Sequence, residues 1–272
     1  MYNDEGIENQ ENDDVANVTD EAKPVIKLMV NAVALRDFVK ALHLADEVKL
    51  KVSDNGVKVL VVDPSHVCMA KVDLAPEMFE LLSIEETREI GINVDELKDI
   101  LKLAKTTKKD PDTVTIEMTH KGTYQVGYHD GEFSLVDLEG FPNPKPPTIP
   151  FVNEFKVRVK ELYDFLRKAD NVSDHIEITV ATDEVMFVAH GEKGKARLKL
   201  PVGSNALPEL EGQSSRTLFS MEYFMNMVKA IKGSSEYAVF KNATNYPLEM
   251  TYTVQDGRGK VMFMLAPRLE ND

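Results

Sequence analysis

The amino-acid sequence predicts an α+β fold with two similar domains, each of which has two helices packed on antiparallel β-sheet. Two observations predict the duplication. The chain has 272 residues, which suits two domains of roughly 100–200 residues each. It also contains an internal repeat at a shift of 127, because ALRDFVKAL at 34–42 matches ELYDFLRKA at 161–169, and INVDELKDILKLAK from 92 matches FSMEYFMNMVKAIK from 219.

The sheets are predicted from the runs between these helical segments. GVKVLVVD, DTVTIEM, HIEITVA and PLEMTYTV are rich in β-branched residues, as strands are. The dipeptides Asn55-Gly56, Asp130-Gly131 and Asp256-Gly257 are typical of hairpin turns. Each half is therefore expected to be rich in sheet.

Two breaks in composition predict the domain limits. Residues 1–22 contain eight acidic side chains and no Lys or Arg, which is typical of a disordered segment. The segment EGFPNPKPPTIPF at 139–151 contains five prolines, which remove backbone donors and keep the chain extended. We predict an acidic disordered tail at 1–24, an N-terminal domain at 25–136, an interdomain linker at 137–150 and a C-terminal domain at 151–272.

Composition excludes several classes of protein. Hydrophobic residues make up 43% of the chain and charged residues 29%, as in ordinary globular proteins. No uncharged stretch approaches the roughly 20 residues of a membrane span, and no signal peptide is recognisable, so a location inside the cell is expected. Cys68 is the single cysteine, and the six histidines lack HxxxH or HExxH spacing. Neither a disulfide, a metal site nor a cofactor is therefore predicted.

Catalysis is not predicted either. Asp63, Ser65 and His66 are residue types found in hydrolase triads. Neighbouring residues in an extended segment point to opposite faces, however, and no GxSxG motif accompanies them.

The predicted helices carry an unusual amount of positive charge. The net charge is −14, and without the eight acids of residues 1–22 it is −6. Within 92–105, Leu97, Ile100 and Leu101 recur at helical spacing and are expected to face the sheet, which leaves lysines on the outer face. The cationic positions of the four helices and their continuations are Arg36, Lys40, His43, Lys98, Lys102, Lys105, Lys108, Lys109, Lys160, Arg167, Lys168, Lys229 and Lys232.

Lysines on a single outer helix face are usually only solvated. Agreement between four repeat-related helices favours a shared anionic ligand instead. Acids such as Asp37, Asp99 and Asp164 lie among the cations. Binding of a nucleic acid to this surface is therefore expected to be weak and sensitive to salt.

Five segments in order resemble the sliding clamps of the proliferating cell nuclear antigen (PCNA) family. They are VDPSHVCMAKVDL at 62–74, INVDELKDILKLAK at 92–105, the proline-rich linker with Ile149-Pro150, NYPLEMTY at 245–252 and MFMLAPRLE at 262–270. The LAPR sequence is closest to the archaeal form. The resemblance implies the ring-forming DNA clamp fold and a homotrimer through which double-stranded DNA passes without sequence specificity.

The same resemblance implies a non-enzymatic processivity factor for DNA polymerase, active in replication and repair. The partners that it implies are DNA polymerase, a flap endonuclease, DNA ligase and an ATP-driven clamp loader of the replication factor C type. The expected location is the cytoplasm, with the nucleoid, in an archaeon, or the nucleus in a eukaryote. Alternatives that the residues leave open are a two-domain α+β enzyme acting on a small molecule and a subunit of a heteromeric clamp.

By resemblance, two edge strands pair between neighbouring chains. They are HDGEFSL at 129–135 and KARLKL at 195–200, in which charged and apolar residues alternate. If the apolar faces meet, the acids must face the bases. The predicted interface residues are Asp130, Glu132, Phe133, Leu135, Lys195, Arg197, Leu198, Lys199 and Leu200; the alternative is an ordinary solvated edge strand.

By resemblance, partner proteins also insert a short peptide between the linker and the C-terminal segment. The pocket residues carried over are Val62, His66, Val67, Met69, Ile149, Pro150, Pro247, Leu248, Met264, Ala266 and Pro267. The family usually has an aromatic residue at the position of Met264, and methionine predicts a more adaptable wall. The alternative is that these apolar residues belong to the core.

Overall fold

A computed structural model of the chain describes residues 25–119, 121–192 and 194–268. The predicted acidic tail at 1–24 lies outside the described residues.

The described part of the first half contains ten strands, two α-helices and a short 3₁₀ helix. In chain order they are β1 (Ile26–Asn31), α1 (Ala32–Ala41), β2 (Glu47–Ser53), β3 (Gly56–Val62), β4 (Cys68–Leu74), the 3₁₀ helix (Pro76–Met78), β5 (Phe79–Ile84), β6 (Arg88–Asn93), α2 (Val94–Leu103), β7 (Thr113–Met118), β8 (Gly122–Val126), β9 (His129–Phe133) and β10 (Leu135–Val136).

The described part of the second half contains nine strands and two α-helices. In chain order they are β11 (Asn153–Arg158), α3 (Val159–Ala169), β12 (His175–Val180), β13 (Glu184–Gly191), β14 (Gly194–Pro201), β15 (Glu209–Glu211), β16 (Ser215–Ser220), α4 (Met221–Ile231), β17 (Tyr237–Asn242), β18 (Leu248–Val254) and β19 (Gly259–Leu265).

The order of these elements repeats between the two halves. β1 and β11 begin at Ile26 and Asn153, and α2 and α4 begin at Val94 and Met221, so both pairs are offset by 127 residues. The predicted duplication and its shift are therefore confirmed. Between Val136 and Asn153 the chain forms neither helix nor strand, while the exact domain limits stay a prediction.

The strands form three antiparallel sheets. Their orders are β5-β1-β7-β8-β9, β10-β6-β2-β3-β4-β19-β18-β17-β11-β15 and β14-β13-β12-β16. The longest sheet runs through both halves because β4 pairs with β19, with Cys68 opposite Leu265. β9 and β14 each lie at an edge of their sheets.

The four helices pack beside one another in the order α2, α1, α4, α3. Their apolar faces cover the sheets, as the helical spacing predicted. Leu97 and Ile100 of α2 are buried, and in the second half the ring of Phe224 in α4 lies 6.0 Å from that of Phe187 and 6.2 Å from that of Phe240. The polar faces of the helices are left on one side of the molecule.

Two local predictions were wrong. Asp130-Gly131 lies within β9, and the chain turns earlier, at Gly127 and Tyr128. The helix predicted to reach residue 105 ends at Leu103, and the following residue is extended with ψ 143°. It ends there because the backbone N–H of Lys105 donates to the Asp112 carboxylate at 2.7 Å, which closes a loop.

Candidate functional site

The candidate DNA-facing surface is the polar side of the helix layer. On α1, the guanidinium of Arg36 donates to Asp37 Oδ1 at 3.1 and 3.3 Å and to the carbonyl of Thr106 at 2.8 Å. Lys40 Nζ donates to the carbonyl of Lys232 at 3.3 Å. These two half-buried cations therefore tie α1 to the segments that follow α2 and α4, in addition to carrying charge.

His43 lies at the end of α1 in a cleft of about 370 Å³ between α1, α2 and α4. Its Nδ1 lies 3.0 Å from the carbonyl of Lys40. Burial lowers the pKa of His43, and the nearby charges of Lys229 and Lys98 act in the same direction. The imidazole is therefore biased toward its neutral form.

Some exposed lysines are paired with an acid on the same helix. Lys98 Nζ lies 2.7 Å from Asp95 Oδ1, and Lys102 Nζ lies 2.5 Å from Asp99 Oδ1. On α3, Lys160 Nζ lies 2.9 Å from Asp164. A phosphate that binds these lysines must compete with the acids, and exposed pairs of this kind are weak enough to exchange.

The other exposed cations form no ion pair among the described residues. They are Lys105, Lys108, Lys109, Arg167, Lys168, Lys229 and Lys232. The first three follow α2 in a loop instead of continuing a helical stripe, which corrects the sequence-based prediction. Lys232 Nζ lies 4.1 Å from the centre of the Tyr163 ring, which orients it toward α3.

The two candidate subunit edges present opposite charges. On β9, Asp130 and Glu132 are exposed, and on β14 Lys195, Arg197 and Lys199 are exposed. Lys199 Nζ pairs with Glu184 at 2.6 Å, and Glu132 pairs with Lys121. Sequence reasoning missed Lys121 and Glu184, which lie on or next to neighbouring strands.

Three predicted interface residues are placed differently from the expectation. Phe133 is 7% and Leu200 3% exposed, and Phe133 packs over Gly122, where an added Cβ would lie 2.2 Å from the ring. Leu135 is not on β9, because it belongs to β10 and pairs with Ile92 of β6. These apolar side chains belong to the fold of a single chain, while Leu198 stays half-buried.

The candidate docking surface forms where the connection from β3 to β4 meets the C-terminal segment. The N–H of Ala266 donates to the carbonyl of Val67 at 2.8 Å, and Met69 lies opposite Met264 in the β4–β19 pairing. Val62, Pro247 and Pro267 are half-buried and His66 is exposed. No described contact joins the half-buried Ile149 or the exposed Pro150 to these residues.

Two pocket residues lie in the core instead. Leu248 is fully buried and Met264 is 6% exposed. Both sit on central strands between neighbours on either side. Their side chains are therefore not available to a partner in this structure, as the alternative reading of these apolar residues expected.

Asp63 organises the connection from β3 to β4, a role that sequence reasoning missed. Its carboxylate accepts hydrogen bonds from the backbone N–H groups of Ser65 at 2.9 Å, Val67 at 2.7 Å and Cys68 at 2.5 Å. Burial acts to raise the pKa of Asp63, but these hydrogen bonds, together with one from the Tyr223 hydroxyl, outweigh it and hold the pKa below its usual value. A DPSHV sequence between two strands is a signal for such an Asx-type turn.

Within the described residues no group of three or more His, Cys, Asp or Glu side chains is placed to hold a metal ion. Burial raises the pKa of the Cys68 thiol to about 12, which makes it a packing residue. In the part of the chain that the structure describes, no helix is both long and apolar enough to span a membrane.

The chain is similar in sequence to known DNA-replication proteins. The family model described as proliferating cell nuclear antigen, N-terminal domain, matches residues 25–138. The DNA polymerase sliding clamp of Thermococcus gammatolerans is 31% identical over 235 residues, which cover 85% of this chain and 92% of that protein. The DNA polymerase sliding clamp of Methanococcoides burtonii is 28% identical over 253 residues, which cover 91% of this chain and 100% of that protein.

The fold is similar to that of a solved clamp. The structure described as the C-terminal region of FEN-1 bound to A. fulgidus PCNA has a TM-score of 0.83 and 24% identity, and covers 91% of this chain and 100% of that chain. At this identity the likeness shows the fold alone, and it confirms the predicted α+β DNA clamp fold.

These relatives decide between the classes of function that the residues left open. The clamps are non-enzymatic, so the alternative of a small-molecule enzyme is wrong. The chain belongs to the PCNA family of archaeal-type DNA polymerase sliding clamps, the processivity factors of DNA replication.

Proposed function

We propose that three copies of this chain close into a ring around duplex DNA, with the helix layer lining the hole and the docking surface tethering replication and repair enzymes. The observation that carries the proposal is the pairing of β4 with β19. It joins the two halves of one chain, while the equivalent strands of the repeat, β14 and β9, stay at open edges.

The internal repeat also predicts the strand register of the contact between chains, from the register of β4 and β19 within one chain. β9 takes the place of β19, and β14 takes the place of β4. Phe133 is equivalent to Leu265, because Gly122 pairs with Phe133 as Leu248 pairs with Leu265. Leu200 is equivalent to Leu74, because Val185 pairs with Leu200 as Val57 pairs with Leu74. The transferred register places Glu132 opposite Lys195 and Asp130 opposite Arg197 of the neighbouring copy, so that acids face bases.

An exposed leucine supports the same contact. Leu103 at the end of α2 is 40% exposed, whereas its counterpart in α4, Ala230, is 5% exposed at the junction with α1. In the proposed ring α2 lies against α3 of the next copy. Leu103 is then covered, as Ala230 is within one chain.

The charge distribution supports non-specific DNA binding. Lysines on long side chains contact phosphates without reading bases, and several of those in the helix layer are already paired with acids. Direct affinity for DNA is therefore expected to be low. Retention comes from the closed ring, which an ATP-driven clamp loader of the replication factor C type must open.

The mass of the assembly tests the ring. Light scattering after size exclusion should give about three times the 30.5 kDa of one chain, and the assembly should dissociate at high salt because the edges are charged. The loaded ring should stay on circular DNA and leave linear DNA. A stable monomer contradicts the proposal, and assembly only with a second type of chain supports a heteromeric clamp instead.

Charge reversal tests the register. Asp130→Arg and Arg197→Asp should each weaken the trimer, and the double variant should recover it, because the two charges are then again opposite. The control combines Glu132→Arg with Arg197→Glu, which are not opposite each other and should recover less. Equal recovery in both double variants contradicts the register.

The docking surface is proposed to take a peptide from DNA polymerase, a flap endonuclease or DNA ligase. A synthetic peptide of the FEN-1 C-terminal region should bind the wild type in a calorimetric titration. Val67→Asp should abolish binding, whereas Leu81→Asp, a similar change at an exposed leucine on β5, should not. Loss in both variants contradicts the location of the docking surface.

The proposed site of action is the nucleoid of an archaeal cytoplasm, since the relatives reported above are archaeal.

A further inference from the structure

One side chain from the second half reaches the turn that shapes the docking surface. The hydroxyl of Tyr223, on α4, donates to Asp63 Oδ2 at 2.8 Å. Asp63 is 4% exposed and is the centre of the docking turn, residues 63–68. This bond therefore joins a turn of the first half to a helix of the second half, 160 positions away in sequence.

The docking turn depends on the Asp63 carboxylate. Beyond the three backbone donors, His66 adopts a left-handed conformation with φ 57°, which a residue with a Cβ adopts only when its surroundings hold it. Tyr223 supplies the fourth hydrogen bond, to Oδ2, which also accepts from the N–H of Ser65. The geometry of His66 and Val67 at the docking surface thus depends on a residue of α4.

The other copy of the repeat shows that the fold does not require this bond. The equivalent connection, from β13 to β14, is the short link after Gly191, with no aspartate at its start. The equivalent of Tyr223 in α2 is Glu96, and one of its buried carboxylate oxygens has no hydrogen-bond partner. The bond belongs to the half of the repeat that carries the candidate docking surface.

The helix at the other end of the bond belongs to the candidate DNA-facing layer. Lys229 lies on α4 six residues after Tyr223, and its charge acts on His43 in the cleft between the helices. We propose that Tyr223 is a positioning residue that couples the docking turn to α4, so that a peptide bound outside the ring changes the order of a helix facing its hole. This inference rests on the proposed function of both surfaces.

Hydrogen exchange of the full chain tests the coupling. Without a peptide, Tyr223→Phe should speed exchange of the Val67 and Cys68 amides about tenfold, because the carboxylate that holds them loses a charged hydrogen bond. Adding the FEN-1 C-terminal peptide should slow exchange in the docking turn and in α4 of the wild type. In Tyr223→Phe it should bind about threefold to tenfold more weakly and slow the turn only.

Tyr163→Phe is the matched control, since Tyr163 is a half-buried tyrosine on the adjacent helix α3, and it should behave as the wild type. Asp63→Asn should loosen the turn and α4 together. Unchanged turn exchange in Tyr223→Phe, or equal protection of α4 in both proteins, overturns the coupling. If the wild type does not bind the peptide, the docking proposal fails, and the peptide-free exchange still decides whether Tyr223 holds the turn.

Discussion

The two copies of the repeat place the same aspartate in opposite surroundings. Asp37 in α1 is 2% exposed, and Ser234 Oγ from the other half donates to it at 2.8 Å. Asp164, 127 positions later in α3, is exposed and pairs with Lys160 at 2.9 Å. One position is therefore an interdomain contact in one copy and a surface charge in the other.

The difference follows from the neighbour of each helix. α1 packs against both α2 and α4, whereas the main helical neighbour of α3 among the described elements is α4. In the proposed ring α2 of the next copy lies beside α3. The contact of α1 with α4 within one chain is then equivalent to the proposed contact of α3 with α2 of the next copy. The residues of the first contact therefore predict what happens to their counterparts in the second.

The largest effect is expected at Asp37. Asp37→Ala leaves the half-buried guanidinium of Arg36 without its acid and Ser234 without its acceptor. The free energy of unfolding should fall by about 3 kcal/mol, as when a buried ion pair loses one member. Urea unfolding followed by circular dichroism measures it, at a concentration where light scattering shows a monomer.

The matched variant is Asp164→Ala, at the equivalent position of α3. It removes only an exposed pair with Lys160, which water replaces, so the monomer should keep its stability. Equal losses in the two variants would show that the buried contact between the halves does not distinguish the two copies.

A smaller effect is expected from His43, whose counterpart after α3 is the exposed Asp170. Because burial lowers the pKa of His43, the folded chain binds this proton less readily than the unfolded chain. Stability should therefore fall as pH drops below about 6.5, by at most about 1.4 kcal/mol per pH unit from this group. His43→Gln should remove this part of the acid sensitivity in urea unfolding at about pH 7.5 and about pH 5.5. An identical pH dependence in both proteins contradicts the prediction.

Leu103 extends the comparison to assembly. Leu103→Ala removes apolar area that the next copy is proposed to cover, worth about 1 kcal/mol, so dissociation should become about fivefold easier at each junction. Sedimentation of diluted samples measures this. Leu81→Ala is the control, because Leu81 is similarly exposed but lies on β5; equal changes in both would place Leu103 outside the junction.

Matching segments at a shift of 127 predicted the repeat, and hydrophobic periodicity predicted the buried faces of the helices because it reports burial of residues on one element. Leu97 and Ile100 are buried as expected. The same periodicity predicted that the lysine-bearing helix continues to residue 105, which is wrong. The helix α2 ends at Leu103, and the Asp112 carboxylate accepts a hydrogen bond from the backbone of Lys105. That contact joins residues outside any helical pattern.

Exposure of the candidate site residues was predictable where charged residues alternate along one strand, and burial was not predictable where residues distant in sequence meet. The exposed acids on β9 and bases on β14 follow from alternation along a strand. Asp37 had been counted as a surface acid among the cations, and its burial depends on Ser234, 197 positions later. The link from Asp63 to Tyr223 spans 160 positions, and no pattern within one element reports such contacts.

The smallest expected effect is on duplex affinity, and it concerns two lysines at equivalent positions of the repeat. Lys102 pairs with Asp99 at 2.5 Å, but the counterpart of Asp99 is Asn226, so Lys229 meets a phosphate without competition. Lys229→Ala should lower duplex affinity and reduce the slope of log affinity against log salt by about one per subunit, whereas Lys102→Ala should do less. Fluorescence anisotropy with a linear duplex over a salt series measures both. Asp99→Asn should make Lys102 behave like Lys229, and equal slopes for the two alanine variants would mean that the acidic neighbour does not set the strength of the phosphate contact.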